Sequence, residues 1–76
     1  MELYMKCPMC GGKYYLVLTT EQASKLAEYK NNGGFVQEVF PELNAVEREF
    51  IKTGYCPSCQ EMLFGNGASE LIHERS

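Results

Sequence analysis

This 76-residue sequence contains no aspartate and no tryptophan, and its only histidine is His73. Neither a Ser-His-Asp triad nor a metal centre that depends on aspartate can therefore be assembled from it. No apolar run approaches the roughly 20 residues of a membrane span, and the first residues lack the charged start and apolar stretch of a signal peptide. These absences favour a non-enzymatic protein, and we expect it to be cytoplasmic and not associated with a membrane.

The chain is also short and poor in positive charge. A core built from only 76 residues gives little stability, so a domain of this size usually needs a metal or disulfide staple. Seven lysines and arginines against ten acidic residues give a formal net charge of −3, and the basic residues form no run. This balance disfavours binding to a phosphate backbone. We interpret residues 1–76 as one domain, with 65–76 as a candidate frayed tail.

Four cysteines form two C-P-x-C pairs, Cys7 with Cys10 and Cys56 with Cys59. Two intervening residues let a tight turn direct both sulfurs toward one metal, and two such turns complete a tetrahedral set of four sulfurs. In a reducing compartment this spacing favours a metal site over two disulfides. We therefore predict one structural Zn²⁺ ion bound by all four cysteines, although iron can use the same ligands.

The pattern C-P-M-C-G-G at residues 7–12 with Tyr14, followed by C-P-S-C at 56–59, resembles zinc-ribbon and rubredoxin-like proteins. In those folds two cysteine knuckles on neighbouring β-hairpins bind one metal. The resemblance implies an α+β, zinc-ribbon-like module with both knuckles on short β-hairpins. Because 45 residues separate Cys10 from Cys56, the expected module also has a two-helix insertion between the knuckles.

A second resemblance covers about a third of the chain. Residues 36–43, residues 48–51, Gly54 and the second cysteine pair look like small zinc-finger-like proteins of phages and other mobile elements. Such proteins generally have no assigned biochemical role. The resemblance therefore implies a phage-type accessory protein and supplies no mechanism.

Capping and turn signals predict the elements between and after the knuckles. Thr19 with Gln22, and Asn44 with Glu47, have the spacing of capping boxes that begin helices. On the second helix we expect Glu47 to face water, together with its other charged residues. The predicted elements are an extended lead-in at 3–6, a strand at 13–19, a helix at 20–31, a strand or extended segment at 35–40, a helix at 45–53, a short strand at 62–64 and a short or frayed helix at 68–75.

The sequence alone is compatible with several functions. A protein partner is favoured, because the aromatic residues exceed what a small core buries fully. A nucleic-acid-binding ribbon is the first alternative, and an iron electron carrier similar to rubredoxin is the second. Thiol redox catalysis is disfavoured, since it would leave the second cysteine pair unexplained. The residues considered for a nucleic-acid contact are Lys6, Lys13, Arg48 and Lys52.

Overall fold

The structure is a computed structural model that describes residues 1–75, so Ser76, the end of the predicted tail, lies outside the described residues. Its three strands form one antiparallel sheet in the order β1-β2-β3, and the α+β class predicted from the sequence is confirmed. Within the described part of the chain, no helix has both the length and the apolar character needed to cross a membrane. The elements are β1 (Glu2–Lys6), β2 (Lys13–Val17), α1 (Thr20–Asn32), α2 (Val36–Val39), α3 (Ala45–Thr53), α4 (Pro57–Phe64) and β3 (Ile72–Glu74).

One face of the sheet forms part of the hydrophobic core. Leu3, Leu16 and Ile72 lie opposite one another on adjacent strands, and all three are buried. Because side chains alternate along a strand, the intervening residues lie on the other face, which we call the outer face. The buried residues that complete the core are Leu18, Leu26, Phe40, Leu43, Val46, Phe50 and Ile51.

The two longest helices begin at the capping boxes that the sequence predicts. At α1, the Thr19 hydroxyl accepts a hydrogen bond from the Gln22 N–H, and the Gln22 side chain accepts one from the Thr19 N–H. Asn44 and Glu47 form the same pair of bonds at α3. Helix α3 ends at Gly54, whose φ of 86° is readily adopted only by glycine. The predicted bounds of α3 are confirmed, and α1 is one residue longer than predicted.

The predicted strand at 62–64 is wrong, because these residues form the end of α4. Cys56 is the N-cap of this helix, and its Sγ accepts a hydrogen bond from the Cys59 N–H. Pro57 occupies the first helical turn, where no N–H is required. The second cysteine pair therefore lies at the start of a helix and not on a β-hairpin, whereas the first pair lies between β1 and β2 as predicted.

The predicted strand at 35–40 is also wrong. Residues Val36–Val39 form the one-turn helix α2, and the Phe40 N–H donates to the Val36 carbonyl at 2.9 Å. The spacing of Val36, Val39 and Phe40 fits a helix, because it places all three side chains toward the core. Three helices therefore lie between the cysteine pairs, where the sequence predicted two.

The stretch at 68–75, predicted as a short or frayed helix, instead contains strand β3 at Ile72–Glu74. Glu47, predicted to be exposed, is only 5% exposed, and its Oε2 accepts a 2.5 Å hydrogen bond from the Ser69 hydroxyl. The Ser69 oxygen in turn accepts the N–H groups of Leu71 and Ile72, at 3.1 and 3.3 Å. These bonds hold the C-terminal segment against the start of α3. The segment then continues into β3, which pairs with β2.

Candidate metal centre

The two cysteine pairs meet beside the turn between β1 and β2. Cys7 and Cys10 lie in that turn, while Cys56 and Cys59 lie at the start of α4. The four Sγ atoms are all within 4.8 Å of one another. The structure thus brings together all four residues that the sequence predicts as metal ligands.

The distances between the sulfurs suit a single ion. Tetrahedral Zn²⁺ with zinc–sulfur bonds of about 2.3 Å places its sulfur ligands about 3.8 Å apart. The Sγ atoms of Cys10 and Cys56 are 3.8 Å apart, and all four cysteines are free thiols with no disulfide between them. The cluster could therefore hold one four-coordinate metal ion. Zinc and iron both use such a ligand set, so the ligands alone leave the metal identity open.

Hydrogen bonds within the first knuckle set the direction of its two sulfurs. The Cys7 N–H donates to the Gly12 carbonyl at 2.8 Å, and the Gly11 N–H donates to the Cys7 carbonyl at 2.9 Å. Gly12 also lies directly against Tyr14, where an added Cβ would be 2.8 Å from the ring carbon Cε2. The knuckle therefore closes so tightly on the neighbouring strand that a side chain at position 12 would displace the Tyr14 ring.

Backbone N–H groups stabilise negative charge on the buried sulfurs. Burial by itself would raise the pKa of the Cys7 thiol. The N–H groups of Cys10, Cys56 and Met9 outweigh burial and lower the pKa of this thiol to about 6. A side-chain hydrogen bond with Cys56, together with burial, raises the pKa of Cys59 to about 12. Four sulfurs this close together need a cation in order to carry their full negative charge at the same time.

The cluster is closed on most sides. Cys7 and Cys56 are fully buried and Cys59 is nearly so, while Cys10 is exposed. The rings of Tyr14 and Tyr55 pack against the buried cysteines. A hydrogen bond with Cys56 and burial raise the pKa of the Tyr14 phenol. Solvent reaches the cluster mainly at Cys10.

Sequence reasoning identified the four cysteines but missed two features of their surroundings. It did not identify Cys56 as the N-cap of α4, although Pro57 after it and Gly65 at the far end are typical helix boundaries. It also did not place His73 on a strand, because residues 65–76 were interpreted as a candidate frayed tail. His73 is exposed but lies on β3 beside Tyr15, with 5.3 Å between the ring centroids.

Comparisons of this chain with protein family models, with curated proteins and with solved structures found no match. The resemblance to phage proteins therefore stays a prediction from the sequence, and the zinc-ribbon topology is not confirmed, because the second cysteine pair lies at the start of α4. The cysteine cluster itself is consistent with a zinc-ribbon-like site.

Proposed function

We propose that this protein is a non-enzymatic binding module whose fold is held together by one structural zinc ion. The observation that carries the proposal is the cluster of four cysteine sulfurs within 4.8 Å, drawn from two distant parts of the chain. Bound there, the metal would join the β1–β2 turn to the start of α4. In a chain this small, such a link supplies stability that the hydrophobic core cannot supply alone.

The chemistry of the ligands supports a structural role. Four cysteines fill the coordination shell of zinc, so no position is left for a reacting water. The only histidine, His73, lies on β3 and is not a member of the cysteine cluster. Free thiols in a metal site are typical of a reducing compartment, and on that ground we also propose a cytoplasmic location.

The protein partner expected from the sequence is part of this proposal. Helix α4 ends in three apolar residues that are exposed, Met62 at 82%, Leu63 at 45% and Phe64 at 54%. Aromatic residues and methionine are enriched in protein interfaces. A phage-type accessory role, which the second resemblance implies, would agree with a small binding module of this kind.

Native mass spectrometry with a visible absorption spectrum tests the metal assignment, on protein purified without added metal. We expect one zinc ion per chain and a colourless sample. One iron with thiolate charge-transfer colour would instead support a rubredoxin-like electron carrier. A mass lower by two protons per cysteine pair, with no metal bound, would show that the cysteines form disulfides and not a metal site. Cys56→Ser should abolish stoichiometric zinc, whereas Ser58→Ala, in the same turn but not a ligand, should retain it.

A further inference from the structure

The outer face of the sheet carries a row of aromatic rings. Tyr4, Tyr15 and His73 lie directly opposite one another on β1, β2 and β3. Their ring centroids are 5.6 Å apart between Tyr4 and Tyr15 and 5.3 Å apart between Tyr15 and His73, so the rings form one continuous surface. Cross-strand aromatic pairs of this kind stabilise a sheet. Tyr4 nevertheless remains 50% exposed and His73 is exposed as well, so the row is also accessible to a ligand.

A row of basic residues lies beside the aromatic row, at the end of the sheet next to the cysteine knuckle. Lys6 and Lys13 are directly opposite each other, and the Arg75 N–H donates to the Lys13 carbonyl at 2.8 Å. All three residues are exposed. The guanidinium carbon of Arg75 lies 4.9 Å from the centroid of the Tyr4 ring, which connects the two rows.

The charges in the basic row have no carboxylate partner at close range. Across residues 1–75, the only ion pair within 4 Å is Lys25 with Glu21, on α1. Like charges placed opposite each other on a sheet are unfavourable, so this row is suited to attract an anion from outside the chain. Glu2 lies at the far end of β1, where its carboxylate accepts a 2.7 Å hydrogen bond from the Tyr4 hydroxyl. The face therefore changes from negative to positive toward the knuckle.

A cleft of about 200 Å³ lies at the basic row, and Tyr4 is the member of the aromatic row that lines it. The adjacent rings and positive charges call for a ligand that combines flat rings with a chain of negative charges. An acidic peptide offers regularly spaced charge but flat rings only where it also carries aromatic side chains, and duplex nucleic acid keeps the faces of its bases stacked inside. A single strand exposes both base faces and phosphates. The residues that line the cleft are Tyr4, Met5, Lys6, Lys13, Tyr14 and Arg75.

We propose that the outer face binds a short single-stranded nucleic acid. Two or three bases stack on the row formed by Tyr4, Tyr15 and His73, while the phosphates lie along the row formed by Lys6, Lys13 and Arg75. The chain as a whole is acidic, so the contact depends on this local row and not on the overall charge. The inference rests on the proposed function, because the zinc-stabilised knuckle holds Lys6 and Lys13 together on either side of the β1–β2 turn.

The test is fluorescence anisotropy of a fluorescein-labelled ten-nucleotide oligothymidylate, titrated with the zinc-loaded full chain. We expect saturable binding that weakens about 20-fold between 50 and 200 mM salt, because about three phosphates are neutralised. A DNA duplex of the same length should bind at least tenfold more weakly, since its base faces are inaccessible. Oligouridylate should bind about as well as oligothymidylate, because stacking and phosphate contacts are common to RNA and DNA.

Paired variants test whether binding depends on the residues of this face or only on the overall charge and apolar character of the protein. Tyr4→Ala should weaken binding about tenfold through lost stacking, whereas Phe35→Ala, an exposed aromatic outside the sheet, should leave it unchanged. The double variant Lys6→Gln with Lys13→Gln should weaken binding at least tenfold and flatten the salt dependence. Lys30→Gln with Lys52→Gln removes the same charge from α1 and α3 and should have little effect.

Four results would overturn the inference: no saturable binding at 50 mM salt by protein that contains one zinc, equal binding of duplex, equal weakening by the control variants, or displacement by polyglutamate at matched charge. The last result would identify an acidic protein segment as the better ligand for this face. Zinc content is measured on every sample. A folded protein that contains no zinc would instead contradict the structural-zinc proposal itself.

Discussion

At the scale of single residues, the properties of the cysteine cluster depend on the burial of each sulfur as well as on the sulfurs themselves. The cluster of four cysteines could be predicted because the chemistry of a four-sulfur site and the C-x-x-C spacing are both visible in the sequence. Burial could not be predicted in the same way. Cys7 and Cys56 are fully buried and Cys10 is exposed, although Cys7 and Cys10 belong to one pair, so the spacing of a pair does not determine the burial of its members.

This difference predicts unequal effects of replacing the two cysteines. Cys10→Ser should keep a metal-dependent fold with weaker zinc binding, because water can complete the coordination shell at the exposed position. Cys56→Ser should lose much more, since the Cys56 sulfur is fully buried and also accepts the Cys59 N–H at the start of α4. Competition with a chromogenic zinc chelator measures the two affinities. Equal losses in both variants would contradict the closed, one-sided site described here.

Gly12 supplies a second prediction at this scale. Gly12→Ala would place a methyl group 2.8 Å from the Tyr14 ring and 3.4 Å from the Cys10 sulfur. We expect a loss of about 1–3 kcal/mol in the free energy of unfolding, as is usual for overpacking, and faster transfer of zinc to a chelator. Gly67→Ala is the matched control, because no atom lies within 4 Å of its added methyl group. Urea unfolding of the two zinc-loaded variants gives the comparison, and a Gly12→Ala protein as stable as the control would show that the Tyr14 ring moves freely.

At the scale of elements, local signals predicted α1 and α3 well because their capping boxes are short-range and complete in the sequence. The misassigned segments have a different origin. At residues 62–64 the apolar run was compatible with a strand or a helix, and the boundaries that indicate a helix are Pro57, five residues before the run, and Gly65, directly after it. Strand β3 pairs with β2, and Ser69 just before it bonds to Glu47, 22 residues earlier, so the contacts of this strand are long-range and no local pattern could reveal it.

That long-range dependence is testable at Ser69. Ser69→Ala removes the hydroxyl that bonds Glu47 and that accepts the N–H groups of Leu71 and Ile72. The Glu47 carboxylate would keep only its bond at the helix cap, so we expect a loss of about 1–3 kcal/mol. Hydrogen exchange should accelerate at residues 71–74 while protection on β1 is retained. Ser58→Ala, at an exposed position, is the control. Unchanged exchange on β3 in the Ser69 variant would show that sheet pairing alone holds the strand.

At the scale of the whole molecule, two separate links join parts of the chain that are distant in sequence. The cysteine cluster connects the β1–β2 turn with α4, and the bonds of Ser69 connect the C-terminal segment with α3. The sheet and the helices share one hydrophobic core, while the cysteines form a second buried cluster with Tyr14 and Tyr55. The Tyr14 side chain packs against both clusters. We therefore expect a change at the cysteine cluster to alter packing in the hydrophobic core through the Tyr14 ring.

Removal of the metal should therefore affect the entire fold and not only the knuckles. Apparent zinc-binding free energies of about 10–16 kcal/mol in small peptides are comparable to or larger than the total stability of a typical domain, about 5–15 kcal/mol. We expect a high-affinity chelator to abolish the cooperative thermal transition seen by circular dichroism, and one equivalent of zinc to restore it. Magnesium in place of zinc is the control, because it binds oxygen ligands and should restore nothing. A chelated protein that still melts cooperatively at the same temperature would show that the core is sufficient, and the role of the metal would then have to lie in function and not in stability.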